Sequence, residues 1–269
     1  MQRHDFLREL HRLVRPRTYL EIGVNTGKSL ALSRVPSIGI DPAFTVTTQL
    51  RGDIQLARAT SDDFFDRPDP IAHLRGGRNV WRNLRHGRPI LGRWRDRTVI
   101  DLAFIDGMHL SEFALRDFMS VERYSAWSTV IVFDDMLPRS VEEAARDRVT
   151  GEWAGDVYKV AAVLREHRPD LTVLTVDTEP TGVMVVLGAD PTNRTLHDRY
   201  PAIEAAITTP DPQVVPGDVL GRRGSIDPDR LVASPAWATL RSARGRSRGR
   251  GYERVRAAFD AVDRPATSV

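Results

Sequence analysis

Short apolar runs alternate with amphipathic helix-type segments between residues 18 and 190, and this alternation constrains the fold most. Most of the runs are continuously apolar, which is typical of strands buried on both faces. The pattern predicts an α/β fold, a doubly wound sheet with helices on both faces. The predicted strands are Tyr19–Val24, Ser37–Asp41, Ile54–Ala59, Val99–Ile105, Thr129–Phe133, Leu171–Val176 and Val183–Leu187.

The predicted helices lie between these strands and ahead of the first one. Apolar residues at helical spacing predict helices near 110–121 and 157–164, and an N-terminal helix within residues 1–17 that Pro16 stops. The last two strands are joined by residues 177–182 alone, a connection too short for a crossover helix. We therefore expect these two strands to pair antiparallel.

The chain is expected to form one domain with an extension. Residues 1–190 form the predicted domain, which includes an Arg-rich insertion at 66–98, and residues 191–269 form a C-terminal extension with a basic, partly disordered tail. The Arg-Gly run at 244–251 resembles a disordered RNA-binding segment. We favour the alternative, in which the basic segments fold back on the acidic remainder of the chain, and so do not expect a nucleic-acid partner.

The composition excludes several classes of protein. The 269 residues contain no cysteine, which rules out a disulfide scaffold, a thiolate zinc site and a cysteine nucleophile. The first twenty residues carry charge throughout, unlike a secretory signal, and no apolar run approaches the roughly 18–20 residues of a membrane span. We therefore expect a cytoplasmic protein with no membrane partner, and the sequence leaves a homo-oligomer open.

A glycine-containing turn, EIGVNTGKS at 21–29, follows the first predicted strand. Glycines at a strand-to-helix turn allow a tight bend, after which helix N–H groups face a polar or anionic ligand. A phosphate-binding loop of the form GxxxxGK[ST] needs one residue more between its glycines than this stretch has. The E-x-G-x-x-x-G turn of nucleoside-cofactor methyltransferases fits without a gap, and a purely structural glycine turn is the third alternative.

Acidic and hydroxyl side chains end the next two predicted strands. Asp41 stands where an acidic group can accept hydrogen bonds from ribose hydroxyls, although a turn residue before Pro42 is the alternative. Ser61 and Asp62 follow the third strand, where a hydroxyl and a carboxylate can meet an adenine edge. Alternatively, either residue caps a helix that begins near Phe64.

Three carboxylates end the fourth and fifth predicted strands, namely Asp106 on one and Asp134 and Asp135 on the other. Ligands bind at the carboxyl ends of strands in open α/β sheets. Three like charges in one crevice repel each other, which predicts a cation among them, and carboxylate oxygens favour Mg²⁺ or Ca²⁺ over zinc. The alternatives are helix N-capping by each Asp and a Walker B strand at 130–135.

Four phrases in the sequence resemble one family: IDLAFIDGMHLSEFALRDF, VIVFDDMLPR, WAGDVYKV and LREHRPDL. They are similar to class I S-adenosylmethionine-dependent methyltransferases, specifically methyltransferase family 24, and the resemblance covers roughly residues 18–190. It implies a Rossmann-like seven-stranded sheet of order 3-2-1-4-5-7-6 with strand 7 antiparallel. It also implies S-adenosylmethionine as the cofactor.

The resemblance further implies the site residues. Those implied to bind the cofactor are Glu21, Gly23, Asn25, Gly27, Asp41, Ser61, Asp62 and Asp106. By similarity to metal-dependent O-methyltransferases, Asp106, Asp134 and Asp135 would coordinate Mg²⁺. His109 falls where the catechol enzymes have a Lys general base, whereas Met108 stands where sugar-modifying relatives have an Asp.

Together these features indicate an Mg²⁺-dependent O-methyltransferase that acts on a hydroxyl of a small molecule or glycosylated metabolite. His109 and Asp106 are the expected catalytic residues. The alternatives are a P-loop-like NTPase, which the short glycine loop disfavours, and a non-catalytic cofactor-binding or RNA-binding protein, which would not need three carboxylates beside a histidine.

Overall fold

The fold is built on a seven-stranded sheet of order β3-β2-β1-β4-β5-β7-β6. The computed structural model describes residues 1–75 and 100–263. The strands are β1 (Tyr19–Ile22), β2 (Ser37–Ile40), β3 (Ile54–Ala57), β4 (Ile100–Ile105), β5 (Ser125–Phe133), β6 (Thr172–Val176) and β7 (Val183–Leu187). Strand β7 runs antiparallel to β5 and β6, and the other neighbours are parallel. The seven predicted strands, their order and the direction of β7 are confirmed.

The central strands are buried on both faces because helices cover the sheet on each side. In β4, Leu102 and Phe104 pack into one hydrophobic cluster, while Ala103 and Ile105 pack into the other. All four side chains are almost fully buried. This explains why the strands read as continuous apolar runs, since side chains alternate between two faces that are both dry.

The helices divide between the two faces of the sheet. They are α1 (Arg3–Val14), α2 (Ser61–Phe65), α3 (Ala72–Arg75), α4 (Ser111–Glu122), α5 (Lys159–His167), α6 (Thr195–Ile207), α7 (Gly217–Leu220), α8 (Pro228–Val232), α9 (Ala236–Ala243) and α10 (Arg248–Asp263). Helices α2 to α6 pack on one face, and α1, α8, α9 and α10 pack on the other. The helices predicted within 1–17, near 110–121 and near 157–164 are confirmed. None of these described helices is long and apolar enough to cross a membrane.

The glycine turn after β1 does not lead into an α-helix, contrary to the expected strand-to-helix turn. Only a 3-10 turn forms, at Leu30–Leu32. Asn25 and Gly27 have positive φ angles, which interrupt any helical run in the loop, and Pro36 precedes β2. Helix α1 contacts the 3-10 turn, so the N-terminal helix covers part of this face.

The C-terminal extension folds onto the sheet where it is described. Tyr252, Val255 and Phe259 of α10 are buried beside Trp237 of α9. They recur at helical spacing, and this apolar stripe, which the Arg-rich composition hides, holds the helix against the core. Within the described residues, α10 begins at Arg248, so the second half of the Arg-Gly run at 244–251 lies in a helix.

The basic segments differ in how far the structure describes them. Arg244 donates hydrogen bonds to the carbonyl oxygens of Val14 and Arg15 at the end of α1, at 2.8 and 3.1 Å. This contact supports the alternative in which the tail folds back on the body. The Arg-rich insertion lies outside the described residues over 76–99.

Candidate active site

The register of the sheet places the predicted site residues side by side. Ile22 of β1 pairs with Ile40 of β2 and with Ile105 of β4, and Ile105 pairs with Phe133 of β5. These residues therefore form one row at the carboxyl edge of the sheet. The residues that follow them in the chain are Gly23, Asp41, Asp106 and Asp134.

Gly23 allows the glycine loop to pass against the end of β4. Its φ angle is +89°, and a Cβ atom at this position would lie 1.7 Å from the carbonyl oxygen of Asp106. Both the backbone angle and the close approach exclude a side chain here. Gly27, with φ +79°, makes the second bend of the loop.

Asp41 holds the glycine loop in place. One carboxylate oxygen accepts the backbone N–H groups of Val24 and Asn25, at 2.9 and 2.8 Å, and the other accepts that of Ala43 at 2.6 Å. These contacts give Asp41 the turn role that the sequence left open. Because each carboxylate oxygen can accept more than one hydrogen bond, they do not exclude a ribose hydroxyl.

Glu21 lies fully buried in β1, beneath the glycine loop. Its two oxygens accept hydrogen bonds from the hydroxyls of Tyr19, at 2.6 Å, and Ser29, at 2.8 Å. Burial raises the pKa of Glu21 to about 8. The side chain is therefore largely neutral at pH 7, and it supports the loop that contains Ser29.

Ser61 and Asp62 lie in the first turn of α2, but neither is its N-cap. Thr60 caps the helix, since its hydroxyl accepts the N–H of Asp63 at 3.1 Å. The Asp62 carboxylate pairs with Arg116 of α4 at 3.0 Å. Ser61 hydrogen-bonds to the buried Asp117, and burial raises the pKa of Asp117 to about 7.

Asp106, His109 and Asp135 form a cluster at the carboxyl edge. His109 Nε2 lies 3.7 Å from Asp106 Oδ1, and His109 Nδ1 lies 3.1 Å from Asp135 Oδ2. One potential ligand atom from each of the three residues lies within 4.8 Å of the others. Burial and the Asp135 carboxylate raise the pKa of Asp106 to about 7, and burial also raises the pKa of Asp135.

Asp134 is oriented differently from its neighbour Asp135. Its carboxylate is almost fully buried and forms an ion pair with Arg3, whose Nη1 also lies 3.5 Å from Asp106 Oδ2. The structure thus brings together two of the three predicted metal ligands, with His109, and places the third against an arginine from helix α1. Arg3 carried no sequence signal that linked it to this site.

Trp153 is a further residue of the site. Its ring stacks on that of His109, with centroids 5.0 Å apart and an interplanar angle of 9°, and its carbonyl oxygen lies 2.7 Å from His109 Nδ1. The residue lies in the phrase WAGDVYKV, which carried the family resemblance but gave Trp153 no role. Gly155, at φ +62°, keeps this segment close, since a Cβ there would lie 1.7 Å from the His109 carbonyl oxygen.

The part of the chain that forms this edge of the sheet is similar to a known protein family. A family model described as a methyltransferase domain matches residues 20–136, a segment that contains the glycine loop, Asp41 and the Asp106 cluster. The matched segment is similar to a methyltransferase domain, and it spans less than half of the chain. No curated protein matches the sequence.

Several solved structures are similar to this chain. The O-methyltransferase TomG from Streptomyces achromogenes, in complex with SAM, is 17% identical over 70% of this chain and 79% of its own, with a TM-score of 0.44. The Podospora anserina methyltransferase PaMTH1, bound to SAH, is 16% identical over 70% and 78%, with a TM-score of 0.40. The O-methyltransferase from Bacillus cereus, in complex with SAH, is 15% identical over 69% and 80%, with a TM-score of 0.37.

A cavity of about 1080 Å³ opens between α5 and α6. Its walls are largely aliphatic, and Arg165, Arg199 and Arg223 are among its charged residues. Met136 and Leu137, which directly follow Asp135, line part of it, but no residue of the Asp106 cluster does. The cavity therefore borders the end of β5 and is separate from the cluster.

Proposed function

We propose that this protein is an S-adenosylmethionine-dependent methyltransferase that transfers a methyl group to a hydroxyl of a small molecule, with a divalent cation of the Mg²⁺ type held by Asp106 and Asp135. The observation that carries this proposal is the cluster of Asp106, His109 and Asp135 beside the glycine loop. An acceptor there meets a base, two carboxylates and the cofactor loop at one edge of the sheet. The acceptor class follows the family resemblance and includes hydroxyls of glycosylated metabolites.

The donor atoms of the cluster fit a hard cation. Mg²⁺ is usually bound through one or two carboxylates, with water or substrate oxygens completing its shell. Asp106 and Asp135 supply two such carboxylates, and because burial raises the pKa of both, a cation beside them would stabilise their charged forms. When bound, the cation supplies the charge that lowers the pKa of an acceptor hydroxyl.

His109 takes the role of general base in this proposal. A neutral ring that donates Nδ1–H to the Trp153 carbonyl keeps its lone pair on Nε2, the atom that faces Asp106. The His109 side chain is 26% exposed, so an acceptor can reach it. His109 thus accepts the hydroxyl proton at Nε2, while Trp153 holds the ring in orientation.

The cofactor side of the site lies on β1, β2 and the start of α2. S-adenosylmethionine supplies the methyl group together with its leaving group. In this proposal the loop from Gly23 to Gly27 binds the methionine end, and Asp41 accepts from the ribose. Ser61 and Asp62 lie beside the adenine. These residues place the methyl group near the cluster, and positioning of this kind accounts for much of the rate in such transfers.

The proposal is tested with labelled S-adenosylmethionine and a panel of hydroxylated acceptors, with and without EDTA. We expect turnover that EDTA abolishes, and a kcat for His109→Ala lower by about 10²–10⁴-fold, the usual contribution of a general base. The control is Val149→Ala, because the Val149 side chain is exposed and lies outside the cluster. Turnover that persists in EDTA would show that the reaction does not require the cation.

The role of His109 needs a second readout, which is Mn²⁺ affinity measured by electron paramagnetic resonance. A base that does not bind the cation leaves the affinity of His109→Ala within about threefold of the wild-type value. A loss of roughly tenfold or more, the range for loss of a metal-site residue, would make His109 a ligand instead.

A further inference from the structure

The first residue of helix α1 places a positive charge at the carboxyl edge of the sheet. Arg3, the first residue of this helix, forms an ion pair with Asp134 and lies 3.5 Å from Asp106. The Asp134 side chain is only 1% exposed, so its carboxylate has almost no contact with water. A carboxylate buried in this way is very costly without an opposite charge.

We propose that Arg3 is the fixed counter-ion of Asp134 and thereby keeps this carboxylate out of the cation site. Arg3 is then a positioning residue that acts through Asp134 and through the charge of the cluster. The part of this inference that concerns the cation rests on the proposed function, whereas the ion pair itself does not.

Backbone contacts hold Arg3 at this position. The N–H of Arg3 donates to the carbonyl oxygen of Glu179 at 2.9 Å, and the N–H of Glu179 donates to that of Met1 at 2.9 Å. Gln2 and Glu179 form a parallel bridge between these segments. The backbone at the start of α1 is therefore held against the β6–β7 connection by hydrogen bonds. These bonds fix the position from which the Arg3 side chain extends.

The same connection separates the two adjacent carboxylates. Thr181, two residues beyond Glu179, donates its hydroxyl to Asp135 Oδ1 at 2.7 Å. Asp135 has a φ angle of +61°, a left-handed conformation that is uncommon outside glycine. This backbone turn directs Asp135 toward His109 and Thr181, whereas Asp134 is directed toward Arg3.

The arrangement changes the charge available to a cation. Arg3 offsets one of the three negative charges at the edge, and its guanidinium stands near Asp106, a proposed ligand. Removal of Arg3 should therefore strengthen cation binding, because a nearby positive charge opposes it. Removal of Asp134 alone should weaken it, since Arg3 is then left uncompensated. Removal of both should restore the original charge.

The test is a double-mutant cycle on the full chain with Arg3→Gln, Asp134→Asn and the double variant. Two quantities are measured, the Tm and the affinity for Mn²⁺ by electron paramagnetic resonance. Arg8→Gln is the matched control, since Arg8 lies on the same helix, pairs with Asp5 and has a side chain that is 59% exposed.

We expect Arg3→Gln to lower the Tm by about 5 °C or more, because it leaves Asp134 buried without its partner. The same variant should bind Mn²⁺ about threefold tighter or better. Asp134→Asn should bind Mn²⁺ more weakly, and the double variant should return to within about threefold of wild type while recovering most of the lost Tm.

Three results would overturn the inference. If Asp134 is a ligand, the double variant remains roughly tenfold or more below the wild-type affinity. If Arg3 and Asp134 do not form an ion pair, the Tm changes of the two single variants add up in the double variant, or Arg3→Gln changes the Tm no more than Arg8→Gln does. Should the wild-type chain not bind Mn²⁺, the cation part of the proposed function fails, and the Tm cycle alone decides whether Arg3 is the counter-ion of Asp134.

Discussion

The Nδ1 atom of His109 lies 2.7 Å from the carbonyl oxygen of Trp153, and the rings of the two residues stack almost in parallel. This contact fixes the orientation of the imidazole between Asp106 and Asp135. The segment that carries Trp153 is itself anchored, because the indole Nε1 donates to the carbonyl oxygen of Ala145 at 2.6 Å. The His109 ring is thus positioned by a segment that lies outside the strand edge.

Loss of the Trp153 ring should therefore reduce activity without unfolding the protein. We expect Trp153→Leu to lower kcat by about 10–100-fold, the range for residues that orient a site residue. Trp153→Phe should retain most of the rate, because a phenyl ring can still stack on His109. Steady-state kinetics with cofactor titrations measures both, and equal rates for the two variants would show that stacking is not required.

The buried Glu21 should make stability depend on pH. Its pKa is raised to about 8 in the folded chain. The folded state therefore keeps a proton that the unfolded state releases near pH 4.5, and stability falls as pH rises from about 4.5 to about 8. Glu21→Gln has no carboxyl group at this position, so its stability does not fall in this way as the pH rises. The Tm of the variant minus that of the wild type should therefore increase from pH 5 to pH 8.5.

Thermal melts at the two pH values measure this difference, with the exposed Glu253→Gln as a control. A variant whose Tm relative to wild type does not change with pH would mean that Glu21 is ionised in the folded chain.

The C-terminal helix should be required for stability. Phe259 is fully buried and contacts Trp237 edge-on, with ring centroids 4.8 Å apart. Phe259→Ala should cost about 3–5 kcal/mol of unfolding free energy, as expected for a large cavity in a core, and deletion of residues 241–269 should cost more. Denaturant unfolding checks both, with Glu253→Ala as the exposed control on the same helix. Unchanged stability of the truncated chain would contradict this packing.

The strands of the sheet could be predicted because the sequence patterns that determine them lie within short segments of the chain. Runs such as Val183–Leu187 are apolar throughout, and the short 177–182 connection already determines their antiparallel pairing. Gly23, Asp41 and Asp106 could be placed at one edge for the same reason, since each ends a strand.

The rest of the site could not be predicted because it depends on contacts between distant segments. The order Asp134-Asp135 does not show which carboxylate meets a cation, since that depends on the φ angle of Asp135 and on Arg3, which lies more than a hundred residues away in the chain. Trp153, which contacts His109, lies in the long connection between β5 and α5, and this connection has little regular structure. Likewise, the apolar stripe of α10 is masked by the arginines around it.

We expect the glycine loop and the adjoining edge of the sheet to bind the methyl-donor cofactor. Isothermal titration calorimetry of S-adenosylhomocysteine into the full chain tests it most directly, with Gly23→Ala as the disrupting variant and Gly151→Ala as the control, since a Cβ at Gly151 would meet open space. We predict a micromolar Kd, about −8 kcal/mol, for the wild type and the control. Gly23→Ala should lose roughly tenfold or more in affinity, because its Cβ would collide with the Asp106 backbone. No binding by the wild type at millimolar ligand, or equal affinity in Gly23→Ala, would show that this edge of the sheet does not bind the cofactor.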